Sequence, residues 1–408
     1  MFLLHFTQFN QESNRSAPKA FDLNLSEENK DRKNSPPGKP EEEIEVSVVM
    51  PCLNEEATVG VCVRKAKETL KKLGVRGEVV VADNGSTDRS VEIAESMGAR
   101  VVHQPVKGYG NAYIKGFSEA RGRFIIMADS DDSYDLTDLE RFIAALRAGC
   151  DLVMGSRFKG EIKPGAMPAL HRHLGNPILT GILNLLYGTK ISDAHCGMRA
   201  FTQDAFHRMH LRTEGMELAS EMVIKAAKAR LRIAEIPITL YPDGRNRPPH
   251  LRSFRDGWRH LRFMLMYDPK HLFGFPGVVL QVLGAALLFA YIFQTLPLNG
   301  GVVGGFLALG GWAIQRFGFY ARAHQFTKDF PDWDLPLQEF FQKFNLEKSL
   351  IAGTVRFLLG ILLLIAAFSF SDSYFERLFL LGVLTFLYGV LTIFDAFLTR
   401  ILHFIGLK

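Results

Sequence analysis

Four long apolar segments in the last third of this chain constrain its structure most. They cover residues 275–294, 301–321, 350–369 and 378–401. Each has about the 20 residues that a helix needs to cross the hydrocarbon core of a bilayer. The alternative, four buried helices of a soluble domain, fits this length and number poorly. The sequence therefore predicts a helical transmembrane region over residues 275–408.

The loops between these segments differ in charge. The stretch "QTLPLNG" has no Lys or Arg, and "SDSYFER" has one Arg. The loop between the second and third segments carries Arg322, Lys328, Lys343 and Lys348. Basic residues are enriched in cytosolic loops. We therefore predict an integral, multi-pass membrane protein whose globular domain and C-terminus face the cytosol.

Small and charged residues stand out within the apolar segments. Gly300/Gly304 and Gly301/Gly305 have the small-xxx-small spacing of closely packed helices, which also allows pairing between copies of the chain. We expect Arg356 and Asp395 near the cytosolic ends, in a salt bridge or reaching towards water. A structural role is favoured for both.

Composition limits the remaining possibilities. Residues 1–43 are polar and rich in Pro, Lys and Glu, so we expect a disordered arm. The net charge of +5 is too small to indicate a nucleic-acid partner. The four cysteines have no C-x-x-C spacing, which predicts reduced thiols and no zinc site: Cys52, Cys62, Cys150 and Cys196.

From Val46 onwards, short β-branched runs alternate with amphipathic helical patterns. The runs "EVSVVMP", "GEVVVAD", "ARVVHQ" and "RFIIMAD" read as strands, and Asn54 is the expected N-cap of the first helix. This alternation predicts an α/β domain with a mostly parallel sheet and helices on both faces. Ligands of such sheets bind at the carboxyl ends of the strands.

Three polar clusters, "PCLNEE", "ADNGSTD" and "ADSDD", follow predicted strands and should lie along one edge of the sheet. Asp129 and Asp131 are two residues apart, so both carboxylates can face one ion. Oxygen ligands of this kind suit Mg²⁺ or Mn²⁺, which bridge phosphate oxygens. A lone D-x-D is weak evidence, because acids also favour helix N-termini. Asp132 and Asp135 are candidates for that simpler role.

Six ordered motifs carry a resemblance to a known family: "VSVVMPCLNEE", "VVVADNGSTD", "KGYGNAYIKGF", "ADSDDSYD", "GSRF" and "DAHCGMRAF". Together they resemble family 2 glycosyltransferases of the Rossmann-like GT-A fold, and among these the dolichyl- or polyprenyl-phosphate hexose synthases. The resemblance covers residues 45–269. The membrane region is similar to that of four-helix bacterial and archaeal relatives by hydropathy alone.

The resemblance implies a nucleotide-sugar site and a divalent metal, Mg²⁺ or Mn²⁺, on Asp129 and Asp131. The implied nucleotide-sugar residues are Pro51, Leu53, Glu55, Val81, Asp83, Asp129, Ser130 and Asp131. Two positions depart from the family pattern. Ser133 stands where members often have Gln as a further metal contact, and Asn84 replaces a second Asp beside Asp83.

The resemblance also implies an acceptor-phosphate site. Its candidate arginines are Arg157, Arg172, Arg199 and Arg245. Arg157 of "GSRF" would be catalytic together with Asp131, although an ordinary surface arginine is the alternative. Asp193 and Gly197 of the "DAHCGMR" motif would shape the loop beside the acceptor.

Residues 241–274 form a basic segment before the first apolar helix. Arg252, Arg255, Arg259 and Arg262 recur at spacings of three and four, on one face of a helix. Position beside a bilayer favours binding to lipid headgroups over a merely solvated face. The stretch "PALHRHLGNPILTGILNLLYG" is a second candidate interfacial helix.

These observations predict three domains after the arm: a GT-A domain over 44–240, the basic segment over 241–274 and the membrane region over 275–408. The expected function is an inverting glycosyltransferase that moves one hexose from a nucleotide diphospho-sugar, of the UDP-glucose or GDP-mannose type, to a polyprenyl or dolichyl phosphate. The alternatives are a different lipid or polysaccharide acceptor, and a catalytically degenerate membrane scaffold.

Overall fold

The computed structural model describes residues 44–244, 253–329 and 335–406. The predicted arm over 1–43 lies outside these residues. The chain divides into two compact units, Met1–Met264 and Leu265–Lys408.

The first unit is built on a seven-stranded sheet in the order β3-β2-β1-β4-β6-β5-β7. Its strands are β1 Val46–Cys52, β2 Gly77–Asp83, β3 Arg100–His103, β4 Phe124–Met127, β5 Leu152–Ile162, β6 Arg199–Thr202 and β7 Ile233–Leu240. Strand β6 is antiparallel to its neighbours β4 and β5, and the other pairs are parallel.

Helices connect the strands and cover the sheet. They are α1 Val59–Lys72, α2 Ser90–Ser96, α3 Tyr109–Glu119, α4 Leu139–Arg147, α5 Asn176–Tyr187, α6 Gln203–Met209 and α7 Leu218–Lys228. A further helix, α8 Ser253–Met266, follows the last strand. Val48 of β1 belongs to the core that α1 and α4 cover. Val49 points the other way, towards Gly116 of α3. Both valines are fully buried, as expected for a central parallel strand.

The second unit is helical. It contains α9 Phe275–Ile292, α10 Leu298–Asp329, α11 Leu335–Lys343, α12 Leu346–Ala367 and α13 Asp372–Gly406. In the described ranges, four stretches are long and apolar enough to cross a membrane: Lys270–Ile292, Leu298–His324, Leu346–Ala367 and Tyr374–Leu402. Each overlaps one predicted apolar segment. These helices support a membrane-anchored protein.

Glycines allow these helices to pack closely in pairs. A Cβ added to Gly284 of α9 would lie 2.6 Å from the carbonyl oxygen of Gly304 in α10. A Cβ added to Gly353 of α12 would lie 3.2 Å from the carbonyl oxygen of Gly389 in α13. The glycines therefore serve contacts within the chain, and pairing between copies stays a prediction.

A polar cluster joins α10 to α13. Arg316 donates to Asp395 and, at 3.1 Å, to Thr399, and the Tyr320 hydroxyl also donates to Asp395. Arg356 lies instead over the ring of Tyr388, 5.3 Å from its centroid. Sequence reasoning selected Asp395 but missed its partner Arg316.

The predicted fold class is confirmed: a mostly parallel sheet with helices on both faces, followed by a helical region. The predicted N-cap was wrong. Helix α1 begins at Val59 after Thr58, with no side-chain capping bond. Asn54 instead has a φ of 59° and accepts a 2.7 Å hydrogen bond from the Thr87 amide. It therefore ties together two loops at the sheet edge.

Candidate active site

The carboxyl ends of β1, β2 and β4 lie side by side, as predicted. Cys52 pairs with Asp83 in the parallel register of β1 and β2. On the other side of β1, the Ser130 hydroxyl donates to the Pro51 carbonyl oxygen at 2.6 Å. All three polar clusters therefore meet at one edge of the sheet.

Asp129 is held through one carboxylate oxygen. Its Oδ1 accepts hydrogen bonds from the hydroxyls of Tyr109 at 2.9 Å and Tyr113 at 3.0 Å. Its Oδ2 lies against Gly197, where an added Cβ would be only 2.5 Å away. Burial, and then the charge of Asp129, raise the pKa of both tyrosines well above the usual value. Both phenols therefore remain neutral donors.

Asp131 is held in a similar way by its own turn. Its Oδ1 accepts from the Ser133 amide at 3.1 Å and from the Ser133 hydroxyl at 2.6 Å. The two other acids of the cluster have structural partners. Asp132 pairs with Lys65 at 2.7 Å, and Asp135 caps a short helix by accepting from a backbone amide. Asp132 and Asp135 therefore serve structural contacts, and the predicted ion-binding role stays with Asp129 and Asp131 as a prediction.

The described residues contain no cluster of three or more His, Cys, Asp or Glu side chains suited to a metal. Two carboxylates at one strand end nevertheless fit Mg²⁺ or Mn²⁺. These ions prefer oxygen ligands, and Mg²⁺ sites often use one or two carboxylates plus substrate phosphates and water. The donors present therefore suit an ion that arrives with a diphosphate. The hydroxyl of Ser133 bonds Asp131, where the family's Gln would supply a further ligand.

Asp83 closes the turn after β2. Its carboxylate accepts from the amides of Ser86 at 2.9 Å and Gly85 at 3.2 Å, and lies 3.2 Å from Nδ1 of His103. Burial alone would raise the pKa of Asp83, but hydrogen bonds, chiefly from Ser86, lower it below its usual value. The carboxylate is therefore ionised and firmly oriented at the site edge.

Asn84 has a role that an aspartate could not fill. Its Nδ2 donates to the carbonyl oxygens of Gln104 at 2.9 Å and Val106 at 2.8 Å, and its Oδ1 accepts from the Gly108 amide at 2.8 Å. A carboxylate has no N–H to donate. The departure from the family pattern therefore secures the loop that leads into α3.

The other predicted nucleotide-sugar residues differ in exposure. The side chain of Leu53 is exposed and Pro51 is half-buried. Glu55 is buried, and one of its oxygens lies 3.4 Å from the Thr58 hydroxyl. Val81 is fully enclosed in the core, and β2 pairs with a strand on each side of it. Its side chain is therefore not part of the exposed edge.

Arg157 lies in β5 and forms a buried ion pair with Asp193. Its Nε and Nη2 donate to the two carboxylate oxygens at 2.7 and 2.8 Å, and its backbone amide donates at 3.1 Å. Asp193 is fully buried, and the Arg157 side chain is 11% exposed. Burial alone would lower the pKa of Arg157. The charge of Asp193 outweighs burial, so the pKa of Arg157 is raised above its usual value. This arginine is not an ordinary surface residue.

Tyr134 lies beside Gly197, on the side of the acidic cluster. Its hydroxyl accepts from the Gly197 amide at 2.9 Å. Burial raises its pKa well above the usual value, the charge of Asp129 raises it further, and Arg157 opposes this. The Tyr134 hydroxyl and Oδ2 of Asp129 border the same glycine, since a Cβ added to Gly197 would lie 2.9 Å from the first and 2.5 Å from the second.

The remaining predicted arginines are not brought together. Arg172 is exposed before α5. Arg199 is fully buried, and its nitrogens donate to the carbonyl oxygens of Ala194, Cys196 and Ala219. Its position indicates a structural role in holding the "DAHCGMR" loop. Arg245 lies outside the described residues.

Comparison with known proteins identifies the family of this chain. The family model described as "Glycosyl transferase family 2" matches residues 47–209. The low-salt glycan biosynthesis hexosyltransferase Agl6 of Haloferax volcanii is 42% identical over 328 residues, which cover 78% of this chain and 77% of that protein. The chain belongs to glycosyl transferase family 2.

Two further proteins are similar to a smaller part of this family 2 transferase than Agl6 is. The dolichyl-phosphate hexose transferase of Haloferax volcanii is 35% identical over 48% of this chain and 82% of that protein. A crystal structure of glucosyl-3-phosphoglycerate synthase from Mycobacterium tuberculosis aligns with a TM-score of 0.45 and 23% identity, over 55% of this chain and 80% of that one.

Sequence reasoning about this family 2 transferase missed the two tyrosines that contact Asp129. The signal was present in the motif "KGYGNAYIKGF", where Tyr109 and Tyr113 are four residues apart. This spacing puts both on one face of a helix. Only the packing of α3 against the end of β4 revealed which residue that face contacts.

Proposed function

We propose that this family 2 transferase moves one hexose from a nucleotide diphospho-sugar to a polyprenyl or dolichyl phosphate, with inversion at the sugar. The observation that carries the proposal is the pair Asp129 and Asp131 at the sheet edge of a chain whose described residues also include four helices able to cross a membrane. The dolichyl-phosphate hexose transferase relative supports a lipid acceptor.

Binding and orientation would supply most of the catalysis. A lipid phosphate is already anionic at neutral pH, so it can attack the sugar without a strong general base. Arg157, held by Asp193, would bind that phosphate, and a charged donor is well suited to this task. Asp83 and the loop after β1 would hold the nucleotide. A divalent ion on Asp129 and Asp131, when bound, would neutralise charge on the departing diphosphate.

We propose that catalysis takes place on the cytosolic side of the membrane. The basic loop between the second and third apolar segments supports this orientation. Helices α5 and α8 expose apolar side chains, as expected of interfacial helices. Trp258 and Met266 of α8 are 59% and 60% exposed, and Leu185 of α5 is 76% exposed. The arginines 245, 247 and 252 of the basic segment lie outside the described residues.

The test uses the purified full chain with polyprenyl phosphate, UDP- and GDP-hexoses, and Mg²⁺ or Mn²⁺. We expect one sugar per lipid and loss of activity with EDTA. The Asp131→Ala variant should lose at least about 100-fold in turnover, whereas Asp204→Ala, at a highly exposed position, should keep it. Full turnover by Asp131→Ala would refute the metal assignment.

Other outcomes would select the alternatives. Many sugars per lipid, or transfer only to another acceptor, would favour a family 2 enzyme with a different lipid or polysaccharide substrate. Failure to bind any nucleoside diphosphate in the presence of metal would favour a non-catalytic scaffold.

A further inference from the structure

The start of helix α3 carries an arrangement that the proposed reaction does not explain. Tyr109 and Tyr113 lie one helical turn apart, with ring centroids 4.9 Å apart and planes at 78°. Tyr113 is fully buried and stacks on Phe117 at 5.3 Å. Packing of this kind restricts the rings, so the hydroxyls have little freedom to choose other partners.

Both hydroxyls converge on one atom, the Oδ1 of Asp129, at 2.9 and 3.0 Å. Hydrogen bonds from two donors to one carboxylate oxygen restrict its rotation about χ2. The other oxygen then lies on the side of Gly197, where the absence of a side chain leaves room for it. The carboxylate therefore has one defined orientation rather than several.

The neighbouring aspartate is fixed by different means. The Oδ1 of Asp131 accepts from the amide and the hydroxyl of Ser133, two residues away in the same turn. Asp129 depends on a separate helix, α3, whose start is secured by Asn84 through the Gly108 amide. The orientation of Asp129 is thus a property of tertiary packing, whereas that of Asp131 is local.

We propose that Tyr109 and Tyr113 are positioning residues that hold Asp129 in the orientation in which it binds a divalent cation. This inference rests on the proposed function, because it assumes that Asp129 is a metal ligand. Partners that orient a ligating carboxylate typically change metal affinity about 10- to 100-fold when they are removed. The alternative is that these hydrogen bonds only pair polar groups that are buried, with no effect on metal binding.

The experiment uses the purified full chain and the variants Tyr109→Phe, Tyr113→Phe and the double variant. Phenylalanine removes the hydroxyl and keeps the ring packing. Mn²⁺ binding is followed by the electron paramagnetic resonance signal of free Mn²⁺, in the presence of UDP and, separately, GDP. The matched control is Tyr187→Phe, whose hydroxyl bonds the Met264 carbonyl oxygen at 2.5 Å.

We expect the dissociation constant for Mn²⁺ to rise about tenfold or more in the Asp129-contacting variants and to stay unchanged in the control. The KM for polyprenyl phosphate should stay constant, while the Mn²⁺ concentration for half-maximal rate rises. A purely structural role would instead lower the melting temperature without a selective change in Mn²⁺ affinity.

The remaining outcomes separate this inference from the proposed function. If the wild-type chain binds no Mn²⁺ with either nucleotide, the metal assignment itself fails. If wild type binds Mn²⁺ and the tyrosine variants bind it equally well, only the positioning role is overturned. Tyrosine variants that do not fold would also overturn it, because the hydroxyls would then serve stability.

Discussion

Replacing Asp193 by Asn should be among the most damaging isosteric changes in the first unit. The variant keeps the size of the side chain and removes its charge, so the Arg157 guanidinium loses its counter-ion in a site where it is only 11% exposed. Breaking a buried ion pair by removing one partner costs about 3–5 kcal/mol. Because Asn retains one acceptor oxygen, we expect the free energy of unfolding to fall by about 3 kcal/mol, the lower end of this range.

The matched control is Asp151→Asn. Asp151 pairs with Arg232, whose side chain is 70% exposed, at 3.3 Å. The Asp151 side chain is 18% exposed, but a pair whose cation is open to water is worth about 0.2–1 kcal/mol. With about 2–4 °C per kcal/mol for a domain of this size, Asp193→Asn should lower the melting temperature by about 6–12 °C. The control should shift it by at most about 4 °C.

Thermal unfolding of the purified chain in detergent measures both shifts, and the KM for polyprenyl phosphate provides a second readout. Asp193→Asn should raise this KM because Arg157 loses the partner that orients it. If Asp193→Asn melts within about 2 °C of Asp151→Asn, the buried pair contributes little. The position of Arg157 would then depend on something other than Asp193.

Three further changes test other parts of the structure. The folded-state pKa of Asp83 lies below its usual 3.8, so the stabilisation that its carboxylate provides is complete above pH 3.8 and is lost as the pH falls through the lowered pKa. The difference in free energy of unfolding between wild type and Asp83→Asn should therefore shrink at acid pH. A difference that stays constant with pH would contradict this. Gly197→Ala would place a Cβ 2.5 Å from Oδ2 of Asp129, whereas the Cβ of Gly181→Ala would meet nothing within 4 Å. Calorimetry in the presence of UDP or GDP should show that the affinity for Mn²⁺ falls about tenfold in Gly197→Ala and is unchanged in Gly181→Ala. Asp395→Ala removes the carboxylate partner of Arg316 in α10, although the Arg316 bond to Thr399 remains. This change should lower the free energy of unfolding in detergent by about 1–3 kcal/mol. An unchanged unfolding transition would show that the ion pair adds no stability.

The sequence by itself determined the class of fold and placed the candidate site residues at one edge of the sheet. Strand periodicity is local, so runs such as "GEVVVAD" could be recognised without knowing their neighbours. Parallel strands bring their carboxyl ends to one edge, so the D-x-D aspartates could be placed there before any contact was known. The four apolar segments followed from length and composition alone.

Tertiary structure decided the partners of each charged group. Nothing local distinguishes Asp129, which two tyrosines of α3 hold, from Asp132, which pairs with Lys65. Arg157 and Arg199 lie in similar motifs, yet one meets a carboxylate and the other meets carbonyl oxygens. Hydrogen bonds between distant segments depend on how the helices pack on the sheet. That packing cannot be inferred from the spacing of side chains along the chain.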